Sequence, residues 1–402
     1  MKVLQINAVY NYSSTGRSTT ELHNALKHKG VESFVVCSRI YNSNDEVYRM
    51  GSECEIKYHG LMSRVFGKQG CFSKNSTKKM LKYIDSIKPD IVHLRNLHSN
   101  YINFPILLSY LAENGIATVV TLHDCWFFTG KCMHYTNDNC YKWQTGCGNC
   151  KKLRRDNKSY FFDRTSQMWS DKKRLFESIP RLAVIGVSDW ITNEGRKSIL
   201  ASAKIIRRIY NWVDTKKFHP VDSHQLKIEM NLNNKFIILG IASIWSNEKG
   251  LSKFIELSNV LDDDECIMLI GNIDDTIKLP DNIINIKAIN DVSKLVQYIS
   301  IGDVFIQLST EETFGKVVVE AMACGLPVIT NKFTANPELV NNSVGTVIDE
   351  ISINSIKNAI NSIKANGKNY YSEKCREFAV QNFTMDYCID QYYELYKELI
   401  NK

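Results

Sequence analysis

The sequence predicts an α/β protein built from two parallel-sheet domains. Three observations lead there. At 402 residues the chain exceeds what one ordinary core accommodates. Short continuous apolar runs, such as 117–122 and 235–242, alternate with segments of helical period, as buried strands of parallel sheets do. The alternation halts in a polar stretch that runs to about Asn234 and restarts cleanly at Lys235, which marks a domain boundary.

In the first half, residues 2–9 read as a buried strand. A turn with Gly16 follows, then a helix over 19–29 with Leu22 and Leu26 one turn apart, stopped by Gly30. Residues 32–37 give a second strand, completing one βαβ unit. The Gly16 turn falls at the C-terminal ends of the strands, where open α/β sheets bind ligands. It lacks the G-x-G-x-x-G pattern, so no nicotinamide or flavin cofactor is indicated. Residues 38–72, with Gly51, Gly60, Gly67 and Gly70, read as irregular. A helix over 77–87 stops at Pro89, strand 90–94 leaves through the polar segment 95–100, and a helix near 103–113 precedes strand 117–122. That strand ends on His123 and Asp124, a position suited to function; the alternative is that His123 satisfies a local backbone group.

Residues 125–155 break the rhythm. Five of the twelve cysteines fall within 26 residues there. Cys132, Cys140, Cys147 and Cys150 are candidates for a closed, structural zinc site, against the alternatives of packed free thiols or a disulfide. The run Lys151–Arg155 with Lys158 is basic; a solvated loop is the plain reading, an anionic membrane surface an intermediate one, and nucleic acid the least favoured. The α/β pattern resumes with a helix over 165–177, strand 182–187, a helix capped by Ser188 that runs to about Leu200, and strand 204–209.

In the second half, strand 235–242 leads through a loop from Ser243 to Gly250, carrying Lys249, to a helix over 251–261. Strand 266–270, a helix over 292–300 and strand 303–308 follow. Strand 326–330 and helices over 352–366, 371–380 and 384–400 complete the chain. The C-terminal strand ends of the two sheets are expected to face a common cleft.

The stretch Thr310–Ile329 carries the chemistry. It reads as a loop, a short helix, a stop at Gly325 and Pro327, and a buried strand. The first turn of such a helix exposes unpaired N–H groups and the positive end of the dipole, which suit phosphate. Glu312 and Glu320 suit sugar hydroxyls, and Gly315 lets a ligand approach the backbone. Phosphate with polyol indicates a sugar nucleotide; a solvated acidic loop before a core helix is the alternative.

Composition sets limits. Hydrophobic residues make up 44% and charged residues 23%, as in soluble globular proteins. No apolar run approaches the ~18 residues of a membrane span. Met1–Asn7 reads as a first strand, not a signal peptide, so the expected location is the cytosol, with cysteines reduced or metal-bound. The net charge of +7 admits an acidic partner without requiring one.

Taken together, Glu312-x7-Glu320 with Phe314-Gly315, the run Glu320–Ile329, Lys249-Gly250, Asn211-x-Val213-Asp214 with Phe218-x-Pro220, and Pro89–His93 resemble the retaining GT-B glycosyltransferases of family 4. The likeness covers essentially the whole chain. The cysteine-containing segment Thr121–Cys150 resembles a subgroup that builds bacterial capsule, exopolysaccharide and O-antigen. The resemblance implies a GT-B fold: an acceptor-side domain over 1–213 with the insert 125–155, a nucleotide-sugar domain over 214–383, and a helix over 384–402 crossing back.

It also implies roles. Glu312 meets the donor sugar and Glu320 the ribose; the backbone at Phe314, Gly315 and Lys316 meets the donor sugar and diphosphate. Lys249 neutralises the departing diphosphate. Gly16 approaches the donor phosphate and His123 the transferred sugar. No divalent metal is needed for the reaction. The implied partners are a nucleotide sugar and a glycan or polyprenyl-linked acceptor, with peripheral contact at the inner face of the plasma membrane. Two departures stand out: Ser243 replaces the usual Arg, so that either Lys249 carries the diphosphate charge with help from backbone groups or Lys316 or Arg17 substitutes, and Thr313 replaces a Gly. The rival classes are a sugar-nucleotide epimerase and a zinc-containing scaffold or nucleic-acid binder.

Overall fold

The computed structural model describes residues 1–41 and 47–401, and divides the chain into two compact units. Unit 1 comprises Met1–Tyr210 with Ile389–Lys402; unit 2 is Asn211–Cys388. In unit 1 the elements run β1 (Lys2–Ile6), β2 (Val9–Tyr10), α1 (Ser13–His28), β3 (Glu32–Cys37), β4 (Arg39–Ile40), β5 (Tyr48–Arg49), α2 (Glu53–Phe66), α3 (Lys74–Ile87) and β6 (Ile91–Leu94). They continue with α4 (Phe104–Glu113), β7 (Ala117–Leu122), α5 (Thr165–Glu177), β8 (Leu182–Gly186), α6 (Asp189–Arg196) and β9 (Ile205–Arg208).

Seven of these strands form one sheet in the order β5-β3-β1-β6-β7-β8-β9, with parallel pairing throughout. The central strands β6, β7 and β8 are buried along their whole length, which explains their unbroken apolar sequences.

Unit 2 contains α7 (His224–Glu229), β10 (Phe236–Ile244), α8 (Leu251–Ser258), β11 (Glu265–Asn272), β12 (Ile283–Ile286), α9 (Val292–Ile301) and β13 (Val304–Gln307). Then come α10 (Lys316–Ala323), β14 (Val328–Asn331), β15 (Gly345–Ile348), α11 (Ile353–Asn366), α12 (Lys368–Phe383) and the start of α13 (Met385–Asn401). Its sheet is a six-stranded parallel array, β12-β11-β10-β13-β14-β15.

The end of α13 belongs to unit 1. Tyr392, Leu395, Tyr396 and Leu399 are each no more than 1% exposed. Tyr396 Oη lies 2.8 Å from His93 Nδ1, and Tyr392 Oη 3.1 Å from Thr121 Oγ1. The helix thus seals the buried polar group of β6. His93 is correspondingly held neutral: burial, then the Arg95 charge, push its imidazole well below the usual range.

Several expectations need correction. The stretch 38–72 is not wholly irregular: it contains α2, and 42–46 lie outside the described residues. Ser52 and Glu55 form a reciprocal capping box at its start, and Gly67 ends it at φ 68°. The glycines read as breakers are its boundaries, while Gly60 sits inside it facing Asn100. Helix α1 begins at Ser13, so Gly16 is in its first turn, not in a loop. Ser243 belongs to β10, next to an irregularity in its register with β11, and α6 stops at Arg196. Strands β12 and β15 carry no sequence signal strong enough to be read.

Candidate functional site

In unit 2, β10 is followed by a short turn, Asn247–Lys249, and then Gly250 at φ 87°. A Cβ on Gly250 would lie 2.6 Å from Leu308 Cβ, so only glycine lets this turn press on the end of β13. That approach delivers Lys249 to the following loop. Its Nζ donates to Glu312 Oε1 at 2.6 Å, with Ser309 Oγ at 3.5 Å. The Glu312 amide donates to Thr334 Oγ1 at 3.0 Å. Asn336 Nδ2 donates to the Ser309 carbonyl at 2.8 Å and Asn331 Nδ2 to the same oxygen at 3.0 Å. Loop 309–312 is therefore held from two sides.

Helix α10 starts immediately afterwards, with Gly315 as N-cap at φ 86° and no side-chain cap. Its first turn presents backbone N–H groups and the positive dipole end. Phe314 is buried against Phe383, ring centres 5.8 Å apart. Glu320 is buried inside the helix, and Thr313 and Lys316 are half-buried. Lys249, Glu312, Ser309 and the start of α10 thus form one cluster of cation, carboxylate and N–H donors. Ser243 is exposed at the end of β10.

Unit 1 presents a second cluster at the C-terminal ends of β6 and β7. Arg95 is 1% exposed; its Nη2 donates to Ser18 Oγ at 2.7 Å and to His123 Nε2 at 3.1 Å, and its Nη1 to Gln5 Oε1 at 3.3 Å. A guanidinium only donates, so Nε2 of His123 is the acceptor and the ring proton sits on Nδ1. Beside it, His98 Nε2 lies 2.8 Å from Asp124 Oδ2, and Asp124 Oδ1 accepts the Trp126 amide at 2.8 Å. Burial opposes ionisation of Asp124, but the His98 charge and these hydrogen bonds hold its carboxyl below the usual range. Gly16 packs on β2: a Cβ there would meet Val9 Cγ2 at 3.0 Å. The neighbouring Arg17 Nε is buried with no hydrogen-bond partner among the described residues.

Sequence reasoning marked Asp124 only as part of the functional position at the end of its strand and gave Arg95 and His98 no role, although the polar exits of both strands were visible. It also left out Ser309, Asn331, Thr334 and Asn336, whose contribution lies in side-chain hydrogen bonds to the loop backbone.

In the insert, Cys132 and Cys150 are neighbours, and the Cys132 thiol beside it draws the Cys150 thiol below its ordinary range. Cys147 Sγ instead accepts the Gly130 amide at 3.2 Å. Among the described residues, Cys132, Cys140, Cys147 and Cys150 are not gathered as ligands within 4.8 Å of one another; the group so gathered is Asp262, Asp264 and Glu265, which bonds to Lys357 and Lys364. Lysines organise the insert. Lys131 Nζ donates to the carbonyls of Lys152, Leu153 and Asp156, and Lys152 Nζ to that of His134. Lys152 is consequently a buried structural group, not part of a basic surface.

Two parallel-sheet α/β units make up the fold that the chain shares with GT-B glycosyltransferases. Residues 15–217, just over half of the chain, match the family model "Glycosyltransferase Family 4", and residues 224–381 match "Glycosyl transferases group 1". The chain belongs to glycosyltransferase family 4.

WcaC of Escherichia coli K12, a glycosyl transferase named for colanic acid biosynthesis, is 21% identical over 384 residues, which cover 87% of this chain and 88% of WcaC. N-acetyl-alpha-D-glucosaminyl L-malate synthase of Bacillus anthracis is 23% identical over 231 residues, 54% of this chain; the match spans only 60% of that relative's length. The crystal structure of Anabaena HepE in complex with UDP-glucose superposes with a TM-score of 0.68 at 16% identity, covering 99% of this chain and all of HepE. That likeness concerns the fold. Among the described residues no helix is long and apolar enough to cross a membrane.

Proposed function

We propose that this protein transfers a sugar, with retention of anomeric configuration, from a nucleoside diphosphate sugar to a glycan acceptor in the assembly of a surface polysaccharide. The observation that carries the reading is the Lys249–Glu312 pair beside the uncapped start of α10. The UDP-glucose bound by HepE and the colanic acid role in the name of WcaC support the donor and the pathway class.

In the reaction the bond from the anomeric carbon to the diphosphate breaks, and negative charge grows on the leaving phosphate. Lys249 and the N–H groups at the start of α10 are fixed donors for that charge. Glu312 accepts hydroxyls of the donor sugar and Glu320 those of the ribose. The acceptor oxygen attacks on the face the diphosphate leaves, and its proton passes to the leaving phosphate oxygen. Neutral His123, with its proton on Nδ1, hydrogen-bonds the sugar being transferred. The substrate-binding set further comprises Gly16, Arg17, Ser243, Thr313, Phe314, Gly315 and Lys316.

No divalent metal enters this scheme, and transfer in excess EDTA checks that. The acceptor in this reading is linked to a polyprenyl carrier, which places the protein at the cytoplasmic face of the membrane.

The decisive experiment is turnover by Glu312→Ala. Transfer is expected to be abolished while the protein remains folded by circular dichroism; normal turnover would sink the assignment. Proton NMR of the product's anomeric signal distinguishes retention from inversion. Isomerisation of the nucleotide sugar without an acceptor would point to an epimerase instead.

A further inference from the structure

Unit 1 contains a polar pocket of about 420 Å³ that takes no part in the scheme above. Ser63, Arg64, Gln69, Asn100, Lys158 and Tyr160 line it. One wall is α2 and the other is the end of the cysteine-rich insert. The walls are tied together: the Tyr160 amide donates to the Arg64 carbonyl at 2.8 Å, and a Cβ on Gly67 would lie 2.3 Å from the Phe162 carbonyl oxygen. The pocket is thus shaped by backbone contacts before any ligand arrives.

Its floor is unsatisfied. Ser63 is only 4% exposed, yet its Oγ has no hydrogen-bond partner among the described residues; Asn100 Oδ1 is also buried without one. A buried polar group left without a partner is destabilising unless something bonds to it. Gln69 is fixed by other partners: its Nε2 donates to the His98 carbonyl and its Oε1 accepts Trp126 Nε1 at 2.6 Å. At the rim, Arg64 and Lys158 are exposed cations. Arg155 is committed to an ion pair with Asp138.

We propose that this pocket binds a phosphate-bearing sugar of the acceptor. Arg64 and Lys158 meet the phosphate oxygens, the Ser63 hydroxyl donates to one of them, and Asn100 Oδ1 accepts a sugar hydroxyl. Gln69 connects the floor directly to the His98–Asp124 pair, which adjoins His123, so the pocket adjoins the chemistry assigned to unit 1. This assignment rests on the glycosyltransferase reading.

The test is calorimetric titration of the full chain with glucose 1-phosphate. The nucleoside diphosphate that most raises the melting temperature is kept saturating, so that the donor site is filled. The wild type is expected to bind the ester more tightly than either glucose or inorganic phosphate. The double variant Arg64→Gln/Lys158→Gln should lose at least about tenfold in affinity and Ser63→Ala about threefold, with nucleotide affinity unchanged in both. No binding by the wild type, or equal binding by the double variant, overturns the proposal. Competition by a short prenyl-diphosphate-linked sugar would assign the phosphate to a lipid carrier, and no competition would assign it to a soluble sugar phosphate. If no nucleoside diphosphate binds at all, the glycosyltransferase reading fails instead, so the two failures are separable.

Discussion

Lys249 Nζ and Glu312 Oε1 stand 2.6 Å apart although 63 positions separate them in the chain. Both side chains are partly buried, 39% and 17% exposed. The pair holds a cation ready where a diphosphate would need it and compensates its charge meanwhile. A bound diphosphate must compete with Glu312 for the same ammonium.

That competition has a measurable consequence. Lys249→Met should weaken nucleoside diphosphate binding by about tenfold or more, as expected for loss of a charge-assisted contact. Glu312→Gln should leave diphosphate affinity equal or tighter, because the lysine is released, while transfer still collapses. Isothermal titration with the diphosphate, beside turnover of both variants, checks this.

Ser243 is the second handle on the same charge. It is exposed at the end of β10, at the position where the family resemblance leads one to expect an arginine. Ser243→Arg should tighten diphosphate binding about threefold or more and steepen its salt dependence. Unchanged affinity would mean that the second cation comes from elsewhere, such as Lys316 or Arg17.

In the proposed scheme Arg95 acts through His123 as a positioning residue. Arg95→Met should lower kcat by about tenfold or more while the donor KM changes less than about threefold. In the wild type, ¹⁵N NMR of the His123 ring should report the proton on Nδ1; in Arg95→Met the tautomers should mix. Arg95→Lys should restore part of kcat. A loss confined to stability would mean that the arginine only supports the fold.

Lys172 makes a prediction about pH. It is fully buried, donates to the carbonyls of Trp126 and Thr129, and lies 3.5 Å from the Trp126 ring centre. Burial pulls its pKa down to about 7. Between about pH 7 and its ordinary value of 10.5, the unfolded chain binds a proton there that the folded chain does not. Stability from this group therefore rises with pH across that window and falls as the pH drops through 7. The stability difference between wild type and Lys172→Met should shift toward the wild type from pH 7 to 9.5, by at most about 1.4 kcal/mol per pH unit. Chemical denaturation of both at several pH values measures it.

Local chemistry made much of the fold legible. Strand β7 occupies the residues its apolar run marks, Ser188 caps α6, and Gly325 takes φ 79° after α10. Each of these depends on neighbours within a few positions: period, cap and left-handed stop. Helix α2 was hidden because its flanking glycines resemble loop residues until the capping box is seen to close. Strands β12 and β15 are edge strands whose four residues are interrupted by Asn285 and by Gly345-Thr346, so neither shows an unbroken apolar run.

By itself, then, the sequence determined the α/β class, the order of the elements and the element around Glu312, Gly315 and Glu320, because these follow from side-chain period and backbone freedom. Only the tertiary structure decided which distant groups meet. It brought Lys249 to Glu312 and Arg95 to His123, and set Cys132 beside Cys150. It also packed Gly16 against Val9 so closely that a Cβ there would meet the valine side chain at 3.0 Å. Such contacts depend on how strands and helices stack, and no local pattern encodes that stacking.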